Sequence, residues 1–254
     1  NGTDVLDNAQ NMMTIATGAG SSSDLFNGKM YRGNGVVARH ITGFGFTPDL
    51  VWAKERESTD YHQLHDSVRG NVSAAGGAGD KGALYSNDPA AWVNAIRISM
   101  IPDGFSIDAA TAINQNEQAE IAWGWKAGGH PLGGQTLGTI NAGNPSGAGT
   151  IANTGNMTAI TQSVSQTTGF CITKYNGTST ANQTYTLPHN LGAKPDWIIV
   201  KSGAVSGWVA WHSSLTASKN IRFDSNAAEH TATASGVVNG YVDGTATDST
   251  NIIL

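Results

Sequence analysis

The chain states one pattern twice. Thr47-Pro48-Asp49-Leu50-Val51-Trp52-Ala53-Lys54 returns as Lys194-Pro195-Asp196-Trp197-Ile198-Ile199-Val200-Lys201. The flanks follow in order: Tyr31 answers Tyr175, Gly33 answers Gly177, Gly45 answers Gly192, Tyr61 answers Trp208, and His65 answers His212. Asp103-Gly104-Phe105 answers Asn239-Gly240-Tyr241. A duplication of this length exceeds the ~20–50-residue periods of solenoids and predicts two homologous domains in tandem. Residues kept in both copies read as architecture. Pro48 and Pro195, Trp52 and Trp197, and His65 and His212 are therefore expected to be structural anchors, with Trp52 and Trp197 buried at matching core positions.

Local patterning predicts an all-β fold. Asn-Gly at 27–28, 34–35, 176–177 and 239–240, and Asp-Gly at 103–104 and 243–244, are hairpin-turn dipeptides because both residues tolerate positive φ. Between them lie short strand-like runs: Leu50–Lys54, Ala95–Ile98, Gly104–Ile107, Glu120–Trp125, Gly169–Tyr175, Asp196–Lys201 and Gly207–Trp211. Several alternate apolar with polar, as a strand with one buried face does. No window offers a long amphipathic helix. The expectation is two tandem homologous antiparallel β-sandwiches, jelly-roll-like, with an arm or linker at 1–23, a first repeat at 24–129, a linker at 130–150 and a second repeat at 151–254. The linker is rich in glycine and has no charged residue, so it is expected to lie over the surface or to pair as irregular edge strands. Asn251-Ile252-Ile253-Leu254 matches Ala119-Glu120-Ile121-Ala122, so the second repeat reads as incomplete, with a sheet edge that a neighbouring chain would cover.

Charge and cysteine usage exclude several functions. Charged residues make up 13% of the chain against a typical ~25%, and the net charge is −5. A nucleic-acid groove needs clustered Lys and Arg, so no nucleic-acid partner is expected. No stretch approaches the ~20 apolar residues of a membrane-spanning helix, so no membrane insertion is expected. The lone Cys171 excludes an internal disulfide and a cysteine-based zinc site, and reads as an inert strand thiol.

No residue set calls for catalysis, a cofactor or a metal. Asp66 and Arg69 read as a turn, with the carboxylate capping amides and the guanidinium bridging to a neighbouring strand. His62 and His65 would be a ligand pair only on one face, and strand alternation opposes them. Lys54 and Lys201 read as strand-end lysines lying over aromatic neighbours. Gly76–Gly82 lacks the Lys-Ser/Thr of a phosphate loop. The pairs Glu117/Glu120 and Asp103/Asp108 are too generic to mark a glycosidase. The seven Trp, at 52, 92, 123, 125, 197, 208 and 211, carry the strongest functional hint. Trp123 and Trp125, spaced i, i+2, share a sheet face and are the candidate glycan platform, with core packing the competing role.

The string Tyr31-x-Gly33-Asn34-Gly35, Ile41–Lys54, Asp66-Ser67-Val68-Arg69-Gly70, Pro102-Asp103-Gly104-Phe105 and Ala122-Trp123-Gly124-Trp125-Lys126-Ala127-Gly128-Gly129 resembles a tandem-repeat domain of unknown function found in virion proteins of tailed bacteriophages, marine phages especially. The resemblance covers about residues 30–254. It implies a virion setting, as a structural protein of a tail fibre or similar appendage, with other virion proteins and copies of itself as partners. A host-surface polysaccharide is the further partner if the chain is a receptor-binding module. A capsid decoration protein and a polysaccharide depolymerase are the remaining alternatives. The second copy departs from the pattern: Asp66–Arg69 becomes Ser213–Thr216, and the Trp-Lys-Ala-Gly-Gly end is missing.

Overall fold

The computed structural model describes residues 25–69, 82–91, 98–107, 112–131, 135–154, 157–177, 184–203, 207–216, 219–231 and 242–254. Among these there is no helix, and the fold is all-β. Residues 1–23, Trp92, the glycine-rich run at 76–81, the run at 95–97, Asp108 and Asn239-Gly240-Tyr241 lie outside the described residues.

The first half holds β1 (Phe26–Arg32), β2 (Arg39–Thr42), β3 (Leu50–Glu55), β4 (Gln63–Asp66), β5 (Leu84–Tyr85), β6 (Ile98–Ile101), β7 (Gly104–Ile107) and β8 (Ala119–Trp125). They form a five-stranded sheet in the order β1-β8-β3-β4-β5 and a three-stranded sheet in the order β2-β7-β6, with antiparallel pairing throughout. Alternation explains how the two sheets face each other. Val51 and Ala53 of β3 and Ala122 of β8 point to the same interior as Ile41, Ile98, Met100, Phe105 and Ile107 of the smaller sheet. Phe44 and Ile113 complete this sandwich-like core from the loops. Each such large apolar side chain contributes ~1.5–3 kcal/mol by leaving water.

The β6–β7 hairpin follows its sequence. Asp103 takes φ +64 in the two-residue turn, and its carboxylate accepts the Gly43 and Gly45 amides at 2.9 and 2.7 Å. Gly104 lies flat on β2, where a Cβ would come within 2.0 Å of the Ile41 carbonyl oxygen. Asn27-Gly28, expected as a turn, instead lies inside β1. Gly28 pairs opposite Trp123, and a Cβ there would meet the indole at 3.4 Å. The glycine makes room for a ring rather than a bend.

The second half is divided among smaller sheets. β9 (Ser146–Thr150), β10 (Thr158–Ser165) and β11 (Phe170–Asn176) pair in the order β11-β10-β9. The uncharged glycine-rich stretch thus supplies an edge strand, β9. β12 (Thr186–Pro188) pairs with β17 (Asn251–Ile253), β13 (Trp197–Val200) with β14 (Val209–His212), and β15 (Lys219–Asn220) with β16 (His230–Thr231). Met157, Ile160, Leu187, Ile198, Trp211, Val242 and Leu254 form its core.

Two expectations about the repeat need correction. β8 pairs with β1 and β3, whereas β17, its match by sequence, pairs with β12, and Leu254 exchanges backbone hydrogen bonds with Tyr185. The Pro-Asp hairpins also differ in register. Val51 faces His65 on β3–β4, but Trp197, which answers Leu50, faces His212 on β13–β14. A slip of one residue exchanges the two faces of a strand. His65 is accordingly fully buried and His212 exposed.

Candidate functional site

The outer face of the five-stranded sheet is aromatic. Core-facing Val51 and Ala53 place Trp52 on the opposite side of β3, and β8 places Trp123 and Trp125 there too. Trp52 and Trp123 are cross-strand partners, meeting edge to face with centroids 5.9 Å apart. Phe223, from the second half, stacks on Trp52 at 6.2 Å and on Trp208 at 6.4 Å, and meets Trp197 at 6.1 Å. Trp125 lies between Phe26, at 5.0 Å, and Phe170 of β11, at 6.2 Å. The Trp208 indole N–H donates to the Tyr85 carbonyl across the halves at 2.6 Å. These contacts are a seam that joins the two halves.

This placement corrects the expected role of the repeated tryptophans. Trp52 and Trp197 do not occupy matching positions, since Trp197 answers Leu50 and Ile199 answers Trp52, and both are half-buried and outside the apolar cores. They meet the same phenyl ring, Phe223, from opposite halves. Trp123 and Trp125 share a face as their spacing requires, yet only Trp123 keeps partial exposure, and Trp125 is 4% exposed.

A polar clasp sits beside the aromatic seam. The Asp49 carboxylate, at the entry to β3, is 2% exposed. It accepts the Ala127 amide at 2.7 Å, the Lys126 ammonium at 3.1 Å and the Gly129 amide at 3.3 Å. The same segment reaches the second half. The Gly128 amide donates to Ser163 Oγ at 3.0 Å, Ser163 Oγ donates to the Gly129 carbonyl at 2.7 Å, and Thr168 Oγ1 donates to the Lys126 carbonyl at 2.9 Å. Gly128 presses on β9 and β10 so closely that a Cβ would stand 2.0 Å from the Gly147 oxygen and 2.4 Å from that of Val164. Pro48, buried at the same corner, lines the space over Gly124 with Phe44. In the second half Pro195 is half-buried and Asp196 exposed.

A family profile for a domain of unknown function, DUF7483, matches residues 21–252. The chain belongs to the DUF7483 family. Comparison with curated proteins and with solved structures returned no match. The matched span takes in both halves and every residue of the seam, so the DUF7483 domain is the joined pair rather than either half.

The remaining sequence candidates of this DUF7483 domain fall into place as supports. Asp66 accepts the Arg69 amide at 2.8 Å and its Nε at 2.5 Å, while Arg69 also donates to the Gly82 and Leu64 carbonyls. His65 Nε2 lies 3.3 Å from Gln63 Oε1. His212 Nδ1 accepts the Ser214 amide at 3.0 Å. His62 lies just before β4, and burial lowers its pKa. Lys201 Nζ sits 6.0 Å over the Trp208 ring, and desolvation there lowers its pKa. Cys171 lies in β11 as a half-buried residue, its thiol 3.4 Å from Thr173 Oγ1 and pushed up to about 12 by burial. Among the described residues no group of three or more His, Cys, Asp or Glu gathers in a metal-holding arrangement.

Sequence reasoning missed Phe170, Phe223 and the carboxylate role of Asp49. The two phenylalanines belong to no repeated motif and gave no signal. Asp49 did leave one: it stands in the same string of motifs as Trp125-Lys126-Ala127-Gly128-Gly129.

Proposed function

We propose that this DUF7483 domain is a non-enzymatic structural building block of a tailed-phage virion, in a tail fibre or similar surface appendage, built as two jelly-roll-like sandwiches in tandem. One observation carries the structural part. The residues with most binding potential, Trp52, Trp125, Trp197 and Trp208, are committed to the joint between the halves. The virion setting rests on the resemblance carried by the string of motifs from Tyr31 to Gly129. A low-charge surface of hydroxyls and amides suits a protein packed beside copies of itself.

A second reading, host-glycan recognition, is favoured by one feature. Trp123 is half-exposed, and its neighbour across the β1–β8 ladder is Gly28, which has no side chain to cover the indole. An exposed Met30 lies two residues further along β1. Sugar rings stack on such an apolar face, with nearby polar groups pairing their hydroxyls.

Gold-labelled antibody against the chain, imaged on intact particles, tests the setting. Labelling of a fibre or appendage supports the proposal, and absence from purified virions overturns it. A glycan array with the isolated chain separates the readings. Binding that is lost in a folded Trp123→Ala variant would establish recognition in place of a purely structural role.

A further inference from the structure

One end of the first core holds two glutamates that neither the seam nor the proposed function uses. Glu55 closes β3 and Glu120 opens β8, and the two are direct cross-strand partners. Both point inward, in line with Val51, Ala53 and Ala122, and they are 4% and 1% exposed. Side chains directly opposite on one sheet face have Cβ atoms ~4.5–5.5 Å apart, so two ionised carboxylates here repel at close range. Glu55 Oε2 and both Glu120 oxygens are buried with no hydrogen-bond partner of good geometry. An unpaired buried carboxylate is among the costliest groups a core can hold.

The surroundings do not neutralise the pair. From β1, Tyr31 faces Glu120 across the ladder, but its hydroxyl donates to the Ile113 carbonyl at 2.8 Å. From β2, Arg39 lies 5.4 Å over the Tyr31 ring and donates to the Arg32 carbonyl and to Asn114 Oδ1. It forms no ion pair with either glutamate. From the loop after β3, Asp60 adds a further negative charge and is held by Gln115 Nε2 at 2.8 Å, while Glu57 accepts the Ala119 amide. From the loop before β8, Glu117 offers its carbonyl to Arg32. β6 and β7 contribute apolar Ile98, Phe105 and Ile107.

We propose that Glu55 and Glu120 share a single proton as a buried acid pair, and that this proton is a switch on the stability of the first half. With the proton present, one carboxyl donates to the other and the core end is closed. When the proton leaves to solvent, two adjacent charges remain in a dry space, and the strand pairing that opposes them is weakened.

A shared proton fits the site better than a divalent cation. Calcium takes ~6–8 oxygen ligands, and the other nearby oxygens, Tyr31 Oη and Asn114 Oδ1, are already engaged. The electrostatics agree with the geometry. Burial first, and then the charge of Glu55, push Glu120 from 4.5 up to about 8, against the smaller opposing pull of the Gln115 amide and Arg39. A carboxyl raised in this way binds its proton in the folded state where the unfolded chain has released it. Its favourable contribution is complete below pH ~4.5 and is lost as pH rises through about 8.

Thermal unfolding of the full chain from pH 5 to pH 9 tests this, with Glu120→Gln and Glu55→Gln beside the wild type. The wild-type midpoint is expected to fall by about 5 °C or more across that window, Glu120→Gln to lose most of the fall, and Glu55→Gln, which leaves Glu120 buried, to lose part of it. Infrared spectroscopy of the wild type should show a buried protonated carboxyl at pH 6 that disappears above pH 9. That measurement decides the matter if the variants do not fold. A wild-type midpoint that is flat with pH, variants with the wild-type slope, or no protonated carboxyl at pH 6 would overturn the proposal. So would calcium chloride at pH 8 raising the wild-type midpoint but not that of Glu120→Gln, since the pair would then be a cation site.

Discussion

Asp49 and Asp196 open the same strand in the same sequence frame, and they lead different lives. Asp49 is sealed beneath Lys126, Ala127 and Gly129, while Asp196 stands in solvent. Both backbone carbonyls accept an amide from the next strand of their hairpin, from Ser67 and Ser213, each at 2.8 Å. By sequence, Ser213 answers Asp66 rather than Ser67, which is the same one-residue slip seen in the ladder. A repeated motif therefore specifies a strand and its hairpin. What arrives to cover the motif specifies its environment, and over Asp49 that cover is Lys126, Ala127 and Gly129.

The contrast can be broken most forcefully at the seam. Trp125→Ala empties a site closed by Phe26 and Phe170 and should cost ~3–5 kcal/mol in chemical denaturation. Trp197→Ala, at a half-buried ring, should cost clearly less. Equal losses would mean that the two halves are not distinguished by their cover. The clasp comes next. Asp49→Ala strands the Ala127 and Gly129 amides and should cost ~1–3 kcal/mol. Asp196→Ala should stay within ~0.5 kcal/mol of wild type by the same measurement.

The backbone contact beneath the clasp gives a comparable test. Gly128→Ala drives a methyl group into two carbonyl oxygens and should cost ~1–3 kcal/mol. Gly138, where a Cβ meets nothing within 4 Å, is the matched control and should show almost no change on replacement. The smallest expected effect sharpens the picture of the joint itself. A double-mutant cycle on Trp52 and Phe223 should return a coupling of ~0.5–1.5 kcal/mol. A coupling of zero would mean that the ring stack merely fills space.

Much of this organisation was legible in the sequence, and the reasons for the rest are physical. Alternation along Leu50–Lys54 and Glu120–Trp125 marks strands and assigns Trp123 and Trp125 to one face. It could not say whether that face was core, solvent or seam, because period 2 separates sides without saying what covers them. Asp103-Gly104 made its hairpin, but Asn27-Gly28 did not, since the demand of the Trp123 ring overrode a local turn preference. Asp66 and Arg69 close a local turn as their spacing suggests. The Glu55–Glu120 contact joins residues distant in sequence through strand pairing, and spacing carries no trace of it. Phe223 is an isolated aromatic between polar residues, and only the fold reveals that it sits between tryptophans of both halves.

The position of Lys126–Gly129 has a consequence for anyone recombining such proteins. These residues belong to the first half, yet their amides and carbonyls are read by Ser163 and Thr168 of the second. A hybrid cut between the halves would pair a foreign β10 with a native buckle, and a mismatched side chain opposite Gly128 would prop the joint open. The unit that can be exchanged without loss is not either half, but the buckle together with the strand it fastens.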